Sequence, residues 1–113
     1  MKRIKWDAEE YLPLIDVYIR TTNDPSLDVI EELGKLSELL NRRADLLGIP
    51  HDEKFRNLNG MKLMYQNVVY IATNGATGMS SYSQLMEQTY NLAINDRELF
   101  EGQLSKFFVK YAK

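Results

Sequence analysis

Apolar positions recur with helical spacing in five segments of the chain, and the clearest of these segments lies in its middle. Because successive apolar residues there are three or four positions apart, they fall on one face of a helix. Asn57 is suited to cap this helix and Asn74 with Gly75 to end it, so the pattern predicts a helix over residues 58–73. Its apolar stripe is Met61, Met64, Tyr65, Val68, Ile71 and Ala72.

The first predicted helix begins after Asp7, which is suited to cap it, with Glu10 in a capping-box position. Apolar spacing then continues to Thr22. Pro13 lies beyond the first turn, where proline removes a hydrogen bond, so we expect a kink or a late start. The stripe consists of Tyr11, Ile15, Tyr18 and Ile19.

The second predicted helix is the longest, and we expect it to begin at Asp24 and Pro25, with the aspartate as cap and the proline in the first helical position. It runs to Gly48. Gly34 in its interior weakens the helix and indicates a close crossing with another helix. The stripe consists of Val29, Leu33, Leu36, Leu40, Ala44 and Leu47.

Two further helices follow a loop of small residues, the fourth capped by Ser80 or Ser81 and the fifth by Asn95 with Glu98 in its first turn. No segment alternates convincingly with a period of two. The sequence therefore predicts an all-α fold, a compact bundle of four to five helices in a single domain over residues 1–113. The two stripes are Tyr82, Leu85, Met86, Thr89 and Ala93, and Phe100, Leu104, Phe107, Phe108 and Tyr111.

Composition narrows the classes of protein. A hydrophobic fraction of 44% with 27% charged residues suits one globular domain with a real core. No apolar run is long enough to span a membrane, and the N-terminus lacks the apolar stretch of a signal peptide, so we expect a cytoplasmic protein without a membrane partner. The chain has no cysteine and one histidine, His51, and we expect no metal or other cofactor.

A catalytic function finds little support in the pattern. Glu9 with Glu10, and Glu31 with Glu32, are adjacent pairs that point apart on a helix, so we expect them to be solvated charges and not a pair of catalytic carboxylates. His51 lies in a loop triplet without the helical spacing of a zinc site. We therefore predict that the chain is not an enzyme by itself.

The net charge of −2 argues against general attraction to polyanions, but the charge is unevenly distributed. Acids concentrate between Asp24 and Glu38. Between Glu53 and Glu87 there is none, and the charges are all basic, on Lys54, Arg56 and Lys62. A surface without carboxylates can approach a polyanion.

The residues suited to read nucleic acid cluster at the start of the third helix. Amide side chains suit adenine edges, and basic side chains suit guanine edges or phosphates. The alternative is an ordinary solvated helix face, with Asn57 only a cap. Aromatic residues follow the apolar stripes, which favours core packing over a platform for single strands. The candidate residues are Arg56, Asn57, Asn59, Lys62 and Gln66.

Three short motifs together resemble the helical module found in front of HNH nuclease domains in prokaryotic modification-dependent restriction proteins. They are Trp-Asp-Ala-Glu-Glu at 6–10, Leu-Ser-Glu-Leu-Leu-Asn-Arg-Arg at 36–43, and Phe-Arg-Asn-Leu-Asn-Gly-Met-Lys-Leu at 55–63. The resemblance extends to residues 74–80 and 95–99. It implies a Myb- or homeodomain-like helix-turn-helix over the first three helices, with the third in the major groove. It also adds Arg42 and Arg43 to the DNA-binding candidates.

The expected function is therefore a non-catalytic DNA-binding or target-sensing module of a restriction or defence system. Its expected partners are double-stranded DNA, modified or unmodified, and a nuclease domain in cis or in trans. Two alternatives remain open from the sequence, a protein–protein adaptor or homodimerising helical domain, and a stand-alone transcription regulator.

Overall fold

A computed structural model describes residues 4–112, and those residues form five α-helices with no strand. The all-α prediction is confirmed, and all five predicted helices are present. No helix among the described residues is long and apolar enough to cross a lipid bilayer. The helices are α1 (Ala8–Asn23), α2 (Val29–Leu46), α3 (Leu58–Ala72), α4 (Gln84–Asn95) and α5 (Arg97–Tyr111).

α1 is the central helix of the bundle. Every residue from Glu10 to Val17 is buried, which is typical of a helix that is surrounded on all sides. α1 contacts each of the other four helices. Those four form a closed ring around it in chain order, since α2 contacts α3, α3 contacts α4, α4 contacts α5, and α5 contacts α2.

The predicted apolar stripes supply most of the core. The stripe residues Ile15, Val68, Met86 and Phe100 are completely excluded from solvent, each at 0% exposure, and so is Leu14, which lies outside the predicted stripe of α1. Other stripe positions lie further out. Those that are exposed or half-buried include Val29, Leu47, Met64, Tyr65, Ile71 and Phe108.

α1 begins at Ala8, with the predicted capping box in place. The Glu10 amide donates to Asp7 Oδ1 and the Asp7 amide to Glu10 Oε1, both at 3.1 Å. The expected late start was wrong, because the helix runs through Pro13. Pro13 lacks the N–H that would bond the carbonyl of Glu9, and the buried contacts of the following turns hold the helix together around that missing bond.

α2 begins four residues later than predicted, at Val29, because Asp28 and not Asp24 is its cap. Asp28 accepts hydrogen bonds from the amides of Ile30 and Glu31. Asp24 instead ends α1 and accepts from Ser26 in a turn. Aspartate followed by proline suits either a cap or a turn, and the local sequence did not separate the two.

The expected helix crossing at Gly34 was also wrong. A Cβ atom built on Gly34 would meet nothing within 4 Å. This glycine is therefore not required by a close approach of another helix.

The caps of the last two helices differ from the prediction by one to three positions. Ser83 caps α4 by accepting from the Met86 amide, and Asp96 caps α5 by accepting from the Leu99 amide. Ser80, Ser81 and Asn95 were the predicted caps. Runs of adjacent capping residues such as Ser80 to Ser83 leave the choice to the tertiary contacts of the chain.

The α2–α3 connection spans residues 47–57. The two helices contact each other, but DNA-binding helix-turn-helix units usually have a turn of about three to four residues. Gly48 adopts a φ of +70° where the chain leaves α2. The helix-turn-helix arrangement of the first three helices remains a prediction from the resemblance.

The loop between α3 and α4 folds back onto α3. The amide of Met79 donates to the carbonyl of Gln66 at 3.1 Å. A Cβ on Gly78 would lie 2.5 Å from that same carbonyl oxygen and 2.7 Å from the amide nitrogen of Tyr70, so only glycine fits. The loop therefore packs on α3 at Gln66 and Tyr70 and leaves the turns before Gln66 uncovered.

We predict that Met61→Ala lowers the free energy of unfolding by about 2–5 kcal/mol, as expected for a large-to-small change in a core. Met61 is 1% exposed, whereas Leu63, two positions later in the same helix, is 53% exposed. Leu63→Ala is the control and should change stability by less than about 0.5 kcal/mol. Urea denaturation of both variants measures the difference, and equal losses would show that α3 is rotated about its axis relative to this structure.

Candidate nucleic-acid interface and the adjacent groove

A buried ion pair joins the start of α1 to the residue before the cap of α3. Arg56 Nε donates to Glu10 Oε2 at 2.7 Å and Arg56 Nη2 to Glu10 Oε1 at 3.0 Å. The exposed fractions of the two side chains are 8% and 3%. Arg56 also donates to the carbonyls of Ile4 and Lys5 at 3.3 Å. The guanidinium fork is therefore used entirely within the fold.

The surroundings of Arg56 fix its backbone as well as its side chain. Its guanidinium lies over the rings of Trp6 and Phe55, at 4.8 and 4.4 Å from the centroids. Its φ is +47°, a conformation that residues other than glycine seldom adopt. The hydroxyl of Ser37 donates to the carbonyl of Arg56, and Asn41 donates to that of Phe55. These bonds from α2 hold the strained residue in place.

A second buried arginine joins the C-terminal part of α2 to the start of α1. Arg43 Nη2 donates to Asp7 at 2.8 Å and to Glu9 at 3.1 Å, and its guanidinium lies over the ring of Tyr111. Partial burial opposes ionisation of Glu9, but hydrogen bonds from Lys110, Arg43 and Tyr111 outweigh it and lower its pKa. Three helices therefore meet at Glu9.

The expectation that the adjacent acids are solvated was wrong for two of the four. Glu10 is 2% exposed and Glu32 is 8% exposed. Glu32 accepts a hydrogen bond from Arg20 at 2.6 Å, which lowers its pKa despite the opposing effect of burial. Glu10 and Glu32 each have an arginine from another helix or loop beside them, and that pairing is what permits their burial.

The structure divides the seven DNA-binding candidates into two groups. Arg43 and Arg56 are buried in the ion pairs described above, and Asn57 caps α3 by accepting from the Gly60 amide at 2.8 Å. Arg42 is exposed but makes an interaction within the protein. These four residues share no free surface. Asn59, Lys62 and Gln66 form the second group.

Asn59, Lys62 and Gln66 lie together on the exposed outer side of α3. Their spacing of three, four and seven positions places them on one face. No side-chain hydrogen bond or ion pair occupies them within residues 4–112. We call these three residues the outer face of α3. The loop that packs on Gln66 and Tyr70 limits the outer face to the first two to three turns.

An open groove of about 980 Å³ runs along the neighbouring side of α3. The sequence pattern showed a core stripe and a polar stripe on this helix, whereas the structure gives it three faces. Gly60, Met64 and Asn67 line the groove from α3, and Leu63 stands at its edge beside the outer face. The opposite walls come from residues 4–6, 52–57 and 79–85, and include Trp6, Phe55, Met79 and Leu85.

Asn67 is a buried polar residue on the groove side that sequence reasoning did not select as a site residue. It is 6% exposed, and its Oδ1 has no hydrogen-bond partner. Its Nδ2 contacts only the sulfur of Met64, at 3.8 Å. An unpaired buried polar atom destabilises a fold, so it calls for an explanation. The sequence does carry a sign of this residue, because Asn67 lies between Met64 and Ile71, where helical spacing predicts an apolar side chain.

His51 joins the α2–α3 connection to the end of α2. Its Nε2 lies 2.7 Å from Asp45 Oδ1 and its Nδ1 lies 3.1 Å from the carbonyl oxygen of Asp52. Both partners are acceptors, so only the protonated ring can donate to both. The hydrogen bond to Asp45, followed by that to Asp52, raises the pKa of His51.

We predict that Arg56→Met lowers the free energy of unfolding by about 3–5 kcal/mol, because it leaves the charge of Glu10 buried without a partner. The double variant Glu10→Gln with Arg56→Met should be more stable than Arg56→Met alone, since it removes that buried charge. Chemical denaturation of the two variants and the parent measures both effects. A double variant less stable than Arg56→Met would contradict the assigned pairing.

We predict that the pKa of His51 in the folded protein lies above the ordinary histidine value of about 6.5, and that Asp45→Asn lowers it. Because the folded-state pKa is raised, this contribution to stability is complete below about pH 6.5 and disappears as the pH rises through the folded-state pKa. His51 is the sole histidine in the chain, so its ring signals in an NMR titration are unambiguous. A folded-state pKa at or below that of the unfolded chain would contradict the assignment.

Comparison with protein-family models, with curated proteins and with solved structures gave no match for this chain.

Proposed function

We propose that this domain is a non-catalytic module that binds double-stranded DNA through the outer face of α3. The observation that carries the proposal is that Asn59, Lys62 and Gln66 are exposed on one helix face and have no side-chain partner among residues 4–112. Buried arginines serve the fold, whereas these three side chains are free to bind. Amide and ammonium groups on one face are the groups that proteins present to base edges and phosphates.

The charges around α3 support an approach to phosphates. α3 is the one helix of the five in residues 4–112 with no acid in its first turn. The partial positive charge at its N-terminus is therefore not compensated by a carboxylate of its own. Lys54 and Lys62 are exposed near this end, and the next acid along the chain after Glu53 is Glu87.

The fold restricts how this helix can meet a duplex. The loop on Gln66 and Tyr70 covers the second half of the outer side, so only the N-terminal turns of α3 are open to a groove. Few phosphates are then neutralised, and affinity should be modest. Such a module suits a protein in which another domain supplies further contacts or the chemistry, as a cytoplasmic restriction or defence system with a nuclease domain in cis or in trans would.

The alternative function is a protein–protein adaptor. The dependence of binding affinity on salt concentration distinguishes it from DNA binding. Contact with about two or three phosphates gives a log–log slope of affinity against salt near −2 to −3, whereas an apolar interface shows little dependence. A stand-alone transcription regulator would share the salt dependence but would act without a nuclease partner.

We predict that Lys62→Glu weakens binding of a labelled duplex by at least about tenfold, because it removes a cation and places a carboxylate near phosphates. Lys106→Glu on α5 is the matched control and should have little effect. Both lysines are exposed and neither has an ion-pair partner among the described residues, whereas Lys35 is paired with Glu31 and Glu32. Fluorescence anisotropy at two salt concentrations measures the affinities of the parent and both variants.

Gln66→Ala and Asn59→Ala complete the same experiment. They should change the preference among duplex sequences, modified and unmodified, more than the overall affinity, since amides read base edges. Equal losses for Lys62→Glu and Lys106→Glu would contradict the proposed face. A parent protein that fails to bind any duplex at low salt would favour the adaptor function.

A further inference from the structure

We propose that the groove beside α3 is a docking site for an acidic amphipathic segment of a partner protein. This inference does not rest on DNA binding, because the groove and the outer face of α3 are different sides of the helix. Three properties of the groove carry it, namely its unpaired amide, its size and lining, and the charges at its edge.

The amide of Asn67 is the polar side chain on the α3 wall of the groove. Asn67 is buried, lines the groove, and has an Oδ1 with no donor. A well-packed apolar residue would be more stable at this position than an unpaired amide. This oxygen is shielded from solvent in the free protein, so the Asn67 side chain would rotate on binding to accept an N–H or O–H from a partner.

The size and lining favour a peptide over a small molecule. The groove volume of about 980 Å³ lies at the upper end for small-molecule pockets, and the groove is partly open to solvent. From Gly60 to Asn67 its α3 wall extends about 10 Å. Three methionines line it, Met61, Met64 and Met79, and methionine is common on surfaces that accept apolar side chains of partners.

The aromatic residues of the groove argue against a nucleobase as the occupant. Stacking of an unpaired base requires an open aromatic face. The ring of Trp6 is stacked on Tyr11 at 5.5 Å and is covered by the guanidinium of Arg56. Phe55 contacts both Arg56 and His51. These rings are already in use, and apolar side chains of a peptide suit the methionine walls better.

The charges at the edge select an acidic partner. Lys5 and Lys54 are exposed in the groove lining, and the charge of Arg56 is neutralised by Glu10. Asp52 is the one carboxylate in the lining, and its Oδ1 already accepts the Lys54 amide. The edge therefore carries a net positive charge that complements glutamate or aspartate beside an apolar helix face.

The test uses a blocked probe peptide of about three helical turns, with leucine and tryptophan at i, i+3, i+4 and i+7 and glutamate elsewhere. Its matched counterpart has lysine in place of each glutamate. Binding is followed by NMR of methionine methyl groups labelled with carbon-13. We expect the acidic peptide to shift the signals of Met61, Met64 and Met79, and the signal of Met86 in the core to remain unchanged.

Variants locate the binding and separate it from folding. Leu63→Gln at the groove edge should weaken binding of the acidic peptide by about tenfold. Leu99 on α5 is similarly exposed, and Leu99→Gln should leave that binding unchanged. Lys5→Glu combined with Lys54→Glu should abolish the preference for the acidic peptide. Asn67→Leu should weaken the peptide without lowering the thermal midpoint of the free domain, since it removes an unpaired acceptor.

Four results would overturn the proposal. The first two are the absence of methyl shifts at millimolar acidic peptide and equal binding of the lysine peptide. The third is equal effects of Leu63→Gln and Leu99→Gln on peptide binding. The fourth is a lower thermal midpoint for Asn67→Leu, which would assign the amide a purely structural role. Concentration-dependent shifts of the same methyl groups without peptide would assign the groove to a second copy of this chain. Lys62→Glu should leave peptide affinity unchanged, which keeps this test independent of DNA binding.

Discussion

The buried pairing of Arg56 with Glu10 is the interaction on which the arrangement of the helices depends. It connects the first turn of α1 with the residue before the cap of α3, two segments separated by 46 positions. The same arginine holds Ile4 and Lys5 and contacts the rings of Trp6 and Phe55. Its left-handed backbone is then fixed by α2 through Ser37. Local strain is tolerated because these contacts leave no alternative.

The three motifs that carry the family resemblance meet at this junction. Residues 6–10, 36–43 and 55–63 are far apart in sequence, yet hydrogen bonds join them. Arg56 donates to Glu10, and Asn41 donates to the carbonyl of Phe55. The motif residues that are paired at this junction therefore stabilise the fold. The proposed function therefore rests on the few residues that the fold leaves free.

The surface of α3 has three different faces. One face packs on α1 through Met61 and Val68, the outer face presents Asn59, Lys62 and Gln66, and the groove face presents Met64 and Asn67. The loop that folds back over its second half confines the two free faces to the same end of the helix. Leu63, which lines the groove and is 53% exposed, lies between these two faces.

The helical type of every segment and most of the inward-facing positions follow from the sequence alone, because they depend on spacing within a single segment. The sequence also determined the caps of α1 and α3, where one capping residue had no close competitor. Which charges are buried depends on tertiary contacts, since Arg56 and Lys62 look alike in sequence until Glu10 is brought beside one of them. The starts of α2, α4 and α5, the ring of helices around α1 and the unpaired amide of Asn67 likewise depend on contacts between segments distant in sequence, which local periodicity does not encode.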